Sequence, residues 1–553
     1  MQEVRDTIQA AVKDLFNVEV EPALTRPDEQ FGDYATNVAL QLAKQLNKNP
    51  REIADQLAKE IKSPSITKTE VAGPGFVNIT LTDEYLAKQA FDQKITQSLK
   101  DQEILVEFGD PNPFKEMHIG HLYSYIVGDS ICRLLETNGA KVRRSSYHGD
   151  VGLHVAKAIF GLRELKKERD GRNVSLDSIP TDEIDEFLKT AYAYGAKKYE
   201  ENDAARTEIE VINKHIYLKD DPAIDELHRV GCKLSFSYFD SVLSLLGISN
   251  DKRYLESQTT DAGKKLVEQN LGPVFEESQG AIVYEGEKKG LHTRVFITSK
   301  GLPTYEAKDL GLTVLKDKDY PKATRSIIIT AHEQSEYFKV MLAALSEIDK
   351  PLADKTTHLA HGFLSLSTGK MSSRTGDVYG AMELLLRVKD VVHEQYPDSP
   401  VKKEVTLAAV KYTFLKHKLG SDIVVDIKES VSLEGNSGPY LQYAHARARS
   451  ILAKSSLQGA ILNQEAILKG GERSLVRKIG EYPEVVGKAV SELMPHYICT
   501  YLYELAQTFN RFYENNRVID DPREAFRLQL VEAYAQTLKN GLSILNISAP
   551  EKM

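Results

Sequence analysis

His118 and His121 lie three residues apart, with Gly120 between them and Lys115 three residues ahead of the first. Three residues make about one helical turn, so both imidazoles face one side of a helix. The apolar run Ile104-Leu105-Val106 alternates into Phe108 and breaks at Gly109-Asp110-Pro111-Asn112-Pro113. Beyond the histidines, Leu122, Tyr125, Ile126, Cys132 and Leu135 recur at helical spacing. The pattern predicts strand, tight turn and helix. A helix start behind a strand presents unpaired N–H groups, and its dipole favours anions. The stretch is therefore built to hold a polyphosphate. A shared metal ion competes as an explanation of two histidines at this spacing. The sequence offers no clear third ligand or supporting shell, so no protein-bound metal is expected.

The elements that must position this stretch follow in order. Lys141–Tyr147 predicts a second strand, closed by His148-Gly149-Asp150-Val151-Gly152. Strand, helix, strand and a Gly-Asp turn make the first half of a nucleotide-binding α/β sheet, whose ligands bind at the carboxyl ends of the strands. Residues 155 to about 290 exceed one crossover and carry solvated charge runs such as Lys166-Lys167-Glu168-Arg169-Asp170, which suggests an insertion. Sheet-like runs return at Ala281–Tyr284, Thr293–Ile297 and Ser326–Thr330. Between the last two, Tyr305 and Asp309 share a helix face. The loop Leu364–Gly376 is small, polar and glycine-bounded, with Lys370 and Arg374 as its cations. It fits a mobile phosphate loop, although taken alone an ordinary basic surface loop explains it as well.

Two further modules flank this core. Residues 1–85 read as a small α+β unit: a helix over 3–16, a second over Val38–Leu46, a third over Pro50–Ile61 capped by Asn49, and a strand behind Gly73-Pro74-Gly75. Phe76 and Asn78 share one strand face, where an aromatic beside an amide can stack on and hydrogen-bond an unpaired base. Burial of Phe76 in the core is the simpler alternative from residues alone. From Ala381 onward the pattern is helical, a connecting segment to about 435 followed by a bundle. At 553 residues the chain needs several cores. A net charge of −9 argues against an overall basic protein but leaves room for local basic patches. Three scattered cysteines make no disulfide framework and fit a reducing cytoplasm. The N-terminus does not read as a signal peptide, and no apolar run is long enough for a membrane span.

His118-Ile119-Gly120-His121 resembles the HIGH signature of class I aminoacyl-tRNA synthetases, and Lys370-Met371-Ser372-Ser373-Arg374 resembles their KMSKS loop. Val106-Glu107-Phe108 with Pro111-Asn112, Tyr305 with Asp309, Glu333-Gln334, Gly32-Asp33-Tyr34-Ala35 and Glu434–Arg447 narrow the similarity to arginyl-tRNA synthetases. It runs nearly end to end and is weakest over about 160–275. The resemblance implies a Rossmann-type catalytic domain over 101–385, with the insertion at about 160–280. It further implies an N-terminal tRNA-binding α+β domain over 1–85, a connecting segment over 386–435, and an all-α anticodon-binding bundle over 436–553.

The implied reaction attaches L-arginine to tRNA(Arg) through an adenylate made from ATP, with Mg2+ arriving with the nucleotide. By the same resemblance His118, His121, Lys115 and Lys370 are catalytic, and Gly120, Gly149, Asp150, Met371, Ser372 and Arg374 contact ATP. Glu107, Asn112, Tyr305, Asp309 and Gln334 bind arginine. Phe76, Asn78, Tyr501, Asn510 and Met553 contact tRNA. The enzyme is expected to be cytoplasmic and monomeric, with no membrane partner. Departures accompany these matches. Ser373 occupies the loop's usual second-lysine position, which makes Lys115 the candidate substitute. Tyr123, Tyr125 and Val151 replace other usual residues. Two alternatives stay open on sequence: another class I synthetase, and a catalytically silent tRNA-binding relative.

Overall fold

The computed structural model describes residues 1–170, 179–181, 183–367, 379–455 and 467–553, with the side chains of 168–170 left aside. The strands Glu103–Glu107, Lys141–His148, Lys252–Leu255, Ala323–Ala331 and Thr356–His361 form one parallel five-stranded sheet. Glu103–Glu107 lies at its centre, between Lys141–His148 on one side and Ala323–Ala331 on the other. The strand order reverses between Glu103–Glu107 and Ala323–Ala331, and ligands of such sheets bind in the crevice beyond that point. The helix Ile119–Thr137 leaves the central strand there. It is buried along most of its length, so its amino end is held against the sheet.

The sheet corrects two expectations. Lys252–Leu255 pairs in parallel with Lys141–His148, so the insertion closes before it rather than near 280. Within the insertion, the helices Leu153–Asp170, Ile184–Glu201, Asp203–Leu218 and Pro222–Leu246 pack on one another. Ala281–Tyr284 and Arg294–Ile297 do not rejoin the main sheet. They form a separate antiparallel sheet with Glu276–Ser278. Short alternating runs of this kind specify a strand but not its partner.

In the N-terminal module, Asn49 Oδ1 accepts from Arg51 N at 2.9 Å and caps Pro50–Glu60. Gly73-Pro74-Gly75 turns a hairpin between Ile66–Ala72 and Phe76–Leu81. Val77, Ile79 and Leu81 point into the core, and Phe76 points away with 38% of its surface exposed. The burial expected for Phe76 therefore fails, because the strand's apolar face is filled by the alternate residues.

The module docks on the C-terminal bundle through Asp33, which is buried. Its carboxylate accepts from Leu81 N at 2.8 Å and from Arg473 Nη2 at 2.6 Å, with Arg477 at 3.4 Å. Arg473 also donates to Asp83 at 2.5 Å. Removing one partner of a buried ion pair leaves the other charge uncompensated, at a cost of about 3–5 kcal/mol. Asp33→Ala is expected to release the N-terminal module at lower denaturant. Hydrogen exchange should show it as lost protection of Phe76–Leu81.

The bundle comprises Gly438–Lys454, Gly471–Gly480, Tyr482–Glu492, His496–Asn515 and Glu524–Ile544. No helix among the described residues is long and apolar enough to cross a membrane.

Candidate active site

The amino end of Ile119–Thr137 is capped by the histidines themselves. Gly120 N donates to His118 Nδ1 at 3.1 Å, and His118 N donates to His121 Nδ1 at 3.2 Å. The two rings stack with centroids 3.6 Å apart. Because each Nδ1 accepts a backbone proton, a neutral ring carries its own proton on Nε2. Burial holds His118 at about 4, with nearby Lys115 acting in the same direction. Burial, followed by His118, holds His121 well below the usual imidazole range. Both rings are thus neutral near pH 7, each with an Nε2–H to donate. Gly120 suits this position, since a Cβ would stand only 3.0 Å from the His118 ring and push it from its place.

The turn that delivers the histidines is fixed at several points. Gly109 adopts φ +94°, and any side chain there would strike the Tyr125 ring. Its N–H donates to Ser124 Oγ at 3.0 Å, and that hydroxyl bonds Ile329 O at 3.3 Å across the strand reversal. Buried His148 links Pro111 O, at 2.6 Å from Nδ1, to Ser146 Oγ, at 2.8 Å from Nε2. Tyr123 packs on His361 and Phe414, and Tyr125 on Phe108. These two departures from the family pattern are therefore absorbed into the helix's packing. Val151 is likewise buried.

Glu107 ends the central strand and is buried in an ion pair with Lys316 of the helix Tyr305–Asp319. Asp309, two turns earlier on the same helix face, accepts from the Tyr337 hydroxyl. Burial first, and then Glu107, raise Asp309 to about 7. Burial and Glu107 also hold Asp110 well above the usual carboxylate range, although its Oδ1 accepts from Tyr147 N at 2.7 Å. Three carboxyl groups thus crowd around Lys316. The cluster has an excess of acid that another cation would relieve.

The other expected contacts divide. Asn112 Oδ1 accepts from Gly149 N at 2.9 Å, which leaves the Asn112 NH2 group as a donor. Tyr305 starts its helix with 66% of its surface exposed, and Gln334 is exposed beyond the strand Ala323–Ala331. Asp150 requires a correction. It is buried, and both its oxygens cap the helix Glu256–Gln269 by accepting from Ser257 N at 2.8 Å and Ser257 Oγ at 2.7 Å. It positions the turn, with both side-chain oxygens engaged by Ser257.

Tyr501 also requires a correction. Its ring is buried in the bundle and its hydroxyl donates to Lys478 O at 2.9 Å, so it offers no face to a base. Asn510 donates to the Tyr440 hydroxyl at 2.9 Å, and Met553 packs partly buried on the core. Asn78 is half-buried on the same outward face as Phe76.

Lys370, Met371, Ser372 and Arg374 lie outside the described residues, but both ends of their loop are tied down. Leu364–Leu366 pairs in parallel with Ile423–Val425 on one side. On the other, Ile119 N donates to Tyr379 O at 3.1 Å and Ala381 N to Met117 O at 2.7 Å. Residues 379–381 therefore lie directly against the histidine signature. No group of three or more metal-ligating side chains occurs among the described residues.

Sequence reasoning missed Lys316 and Tyr337. Helical spacing from Tyr305 and Asp309 offered a signal for Lys316. Tyr337 had none, because only the tertiary fold brings it to Asp309.

Comparison with known proteins agrees with this geometry. The arginyl tRNA synthetase N terminal domain matches residues 2–81, the class I (R) tRNA synthetase catalytic domain matches 83–427, and the DALR anticodon binding domain matches 441–553. An arginine–tRNA ligase of Colwellia psychrerythraea is 32% identical over 95% of this chain and 94% of its own. One from Bdellovibrio bacteriovorus is 30% identical over 98% and 95%. The Thermus thermophilus arginyl-tRNA synthetase structure covers 100% of both chains with a TM-score of 0.83 at 28% identity. With the catalytic-domain match spanning more than half the chain, and the histidine cap and carboxylate cluster at the expected edge of the sheet, this chain belongs to the arginyl-tRNA synthetase family.

Proposed function

We propose that this chain is an arginine–tRNA ligase that makes arginyl-adenylate from arginine and ATP and transfers the arginyl group to the 3′-terminal ribose of tRNA(Arg). The observation that carries this reading is the acid excess around Glu107 and Asp309 at the same sheet edge as the His118–His121 pair. A guanidinium supplies the missing positive charge and a planar fork of donors that carboxylates match.

In the first step an arginine carboxylate oxygen bonds to the ATP α-phosphorus. The bond from that phosphorus to the bridging oxygen breaks, and pyrophosphate leaves with the electron pair. The Nε2–H groups of His118 and His121 donate to phosphate oxygens as charge builds, and they need no proton transfer to do so. Glu107 and Asp309 hold the guanidinium, with Tyr305 and Gln334 at the outer end. The Asn112 NH2 group suits the substrate carboxylate. Lys115, Lys370 and Arg374 bear on the phosphates, and Mg2+ accompanies ATP as part of the substrate. In the second step a ribose hydroxyl attacks the adenylate carbonyl and AMP leaves. Phe76 and Asn78 are the N-terminal tRNA contacts. In the bundle, exposed Tyr443, one turn before Arg447, takes the stacking role expected of Tyr501.

Charging of tRNA(Arg) with radiolabelled arginine tests the reading. Acid-precipitable arginyl ester is expected. Charging with a different amino acid, or no ester at all, would reject it.

A further inference from the structure

The mechanism leaves a basic side chain in the neighbourhood of Lys115 unused. Lys157 lies on the helix Leu153–Asp170, one turn beyond His154. Its Nζ stands 4.2 Å from the centroid of the Tyr199 ring. Lys115 stands 5.3 Å from the Tyr192 ring. The two tyrosines are two turns apart on one face of Ile184–Glu201, the helix packed against Leu153–Asp170.

Neither ammonium has a carboxylate within ion-pair distance among the described residues. Lys115 and Lys157 are half-buried, whereas the fully buried lysines among the described residues are matched. Lys308 pairs with Glu256 and Lys316 with Glu107, and Lys411 donates to Leu246 O at 2.7 Å and Asn546 O at 2.6 Å. The acid next to Lys115, Glu116, is within 3.6 Å of Lys189 instead.

Lys115 also feels Lys157. Burial first, and then Lys157, lower Lys115 from its ordinary value. Lys115 in turn acts on His118 and His154, both held at about 4 chiefly by burial. Lys115 and Lys157 thus lie over one aromatic helix face, with Lys115 also acting on His118 and His154, and no carboxylate ion-pairs with either ammonium among the described residues. Two like charges held together without a counter-charge are unfavourable unless a ligand supplies it. A diphosphate is the anion that the proposed reaction releases next to His118.

We propose that Lys157 joins Lys115 in a two-cation cradle for the β- and γ-phosphates of ATP and for the departing pyrophosphate, an inference that rests on the adenylation reaction proposed above. The tyrosine faces hold both ammoniums in place without neutralising them. As the bond from the α-phosphorus to the bridging oxygen breaks, the electron pair moves onto pyrophosphate, and the cradle meets that charge. Such a pair supplies cationic charge where the loop has Ser373 rather than a second lysine.

Arginine-dependent ATP–pyrophosphate exchange, titrated with inorganic pyrophosphate at saturating arginine and tRNA(Arg), tests the cradle. Lys157→Ala is expected to raise the KM for pyrophosphate about tenfold and slow exchange, with the KM for arginine unchanged. Lys157→Arg should recover most of the loss. Single-turnover transfer from preformed arginyl-adenylate to tRNA should be unaffected by either substitution. An unchanged pyrophosphate KM in Lys157→Ala would overturn the inference. So would slowed transfer with intact exchange, which would assign the lysine pair to phosphates of the tRNA strand. Absence of arginine-dependent exchange in the unsubstituted protein would instead reject the adenylation reaction itself.

Discussion

Replacing His121 with alanine is expected to lower the rate of arginyl-adenylate formation about 10²–10³-fold, with little change in the KM for ATP. The ring's single proton is on Nε2, because Nδ1 accepts from His118 N. It is therefore a fixed donor in a site where burial suppresses the cationic form. A donor aimed at charge that develops during the reaction lowers the barrier more than it strengthens ground-state binding. The ring also caps the helix, and loss of a cap costs about 1 kcal/mol. His121→Asn keeps an acceptor for that amide while moving the donor, so it should recover stability but little rate. Burst kinetics of adenylate formation and a thermal melt separate the two effects. A rate within about threefold of the unsubstituted protein would remove His121 from the chemistry.

Asp309→Asn is expected to reduce kcat/KM for arginine by about 10²–10³-fold, the effect of about 3–4 kcal/mol lost when one member of a buried charged contact is removed. Its pH dependence carries more information. Asp309 titrates at about 7 in the free protein because burial and Glu107 oppose its charge. An acid raised in this way holds its proton below pH 7 and ionises above it. A bound guanidinium favours the ionised form and lowers that value, so binding expels the proton. Arginine affinity should therefore rise with pH, by about tenfold from pH 6 to pH 8, and level off above. Isothermal titration of arginine in buffers of different ionisation enthalpy reads both the slope and the proton release. Asp309→Asn should flatten the slope as well as weaken binding. His118 contributes no step in this range, since it is neutral throughout.

Much of this architecture is legible where the determinants are local. Asn49 before Pro50, the helical spacing after His121, and the Gly73-Pro74-Gly75 hairpin each act within a few residues, and each element forms where those residues indicate. The spacing of His118 and His121 reveals a shared face, but not that the rings cap their own helix and so fix their tautomers. The fifth strand, Lys252–Leu255, is too short to announce itself, and its pairing with Lys141–His148 moves the insertion's boundary. Asp150 illustrates a different limit. Its place in a Gly-Asp turn suggests ligand contact, whereas Ser257, more than a hundred residues later, takes both its oxygens. Tyr501 resembles a recognition residue only until the bundle closes around it. Lys316 and Tyr337 complete the acid cluster from distant chain segments, and no single-strand or single-helix pattern reports both.

The claim that the histidine cap and the acid cluster together activate arginine is tested most directly by ATP–pyrophosphate exchange in the presence of tRNA(Arg), with each amino acid supplied in turn. The account predicts exchange with arginine and a kcat/KM for lysine lower by about 10⁴, because lysine leaves the buried carboxyl groups unpaired. Comparable exchange with another amino acid, or no exchange with any, would contradict it.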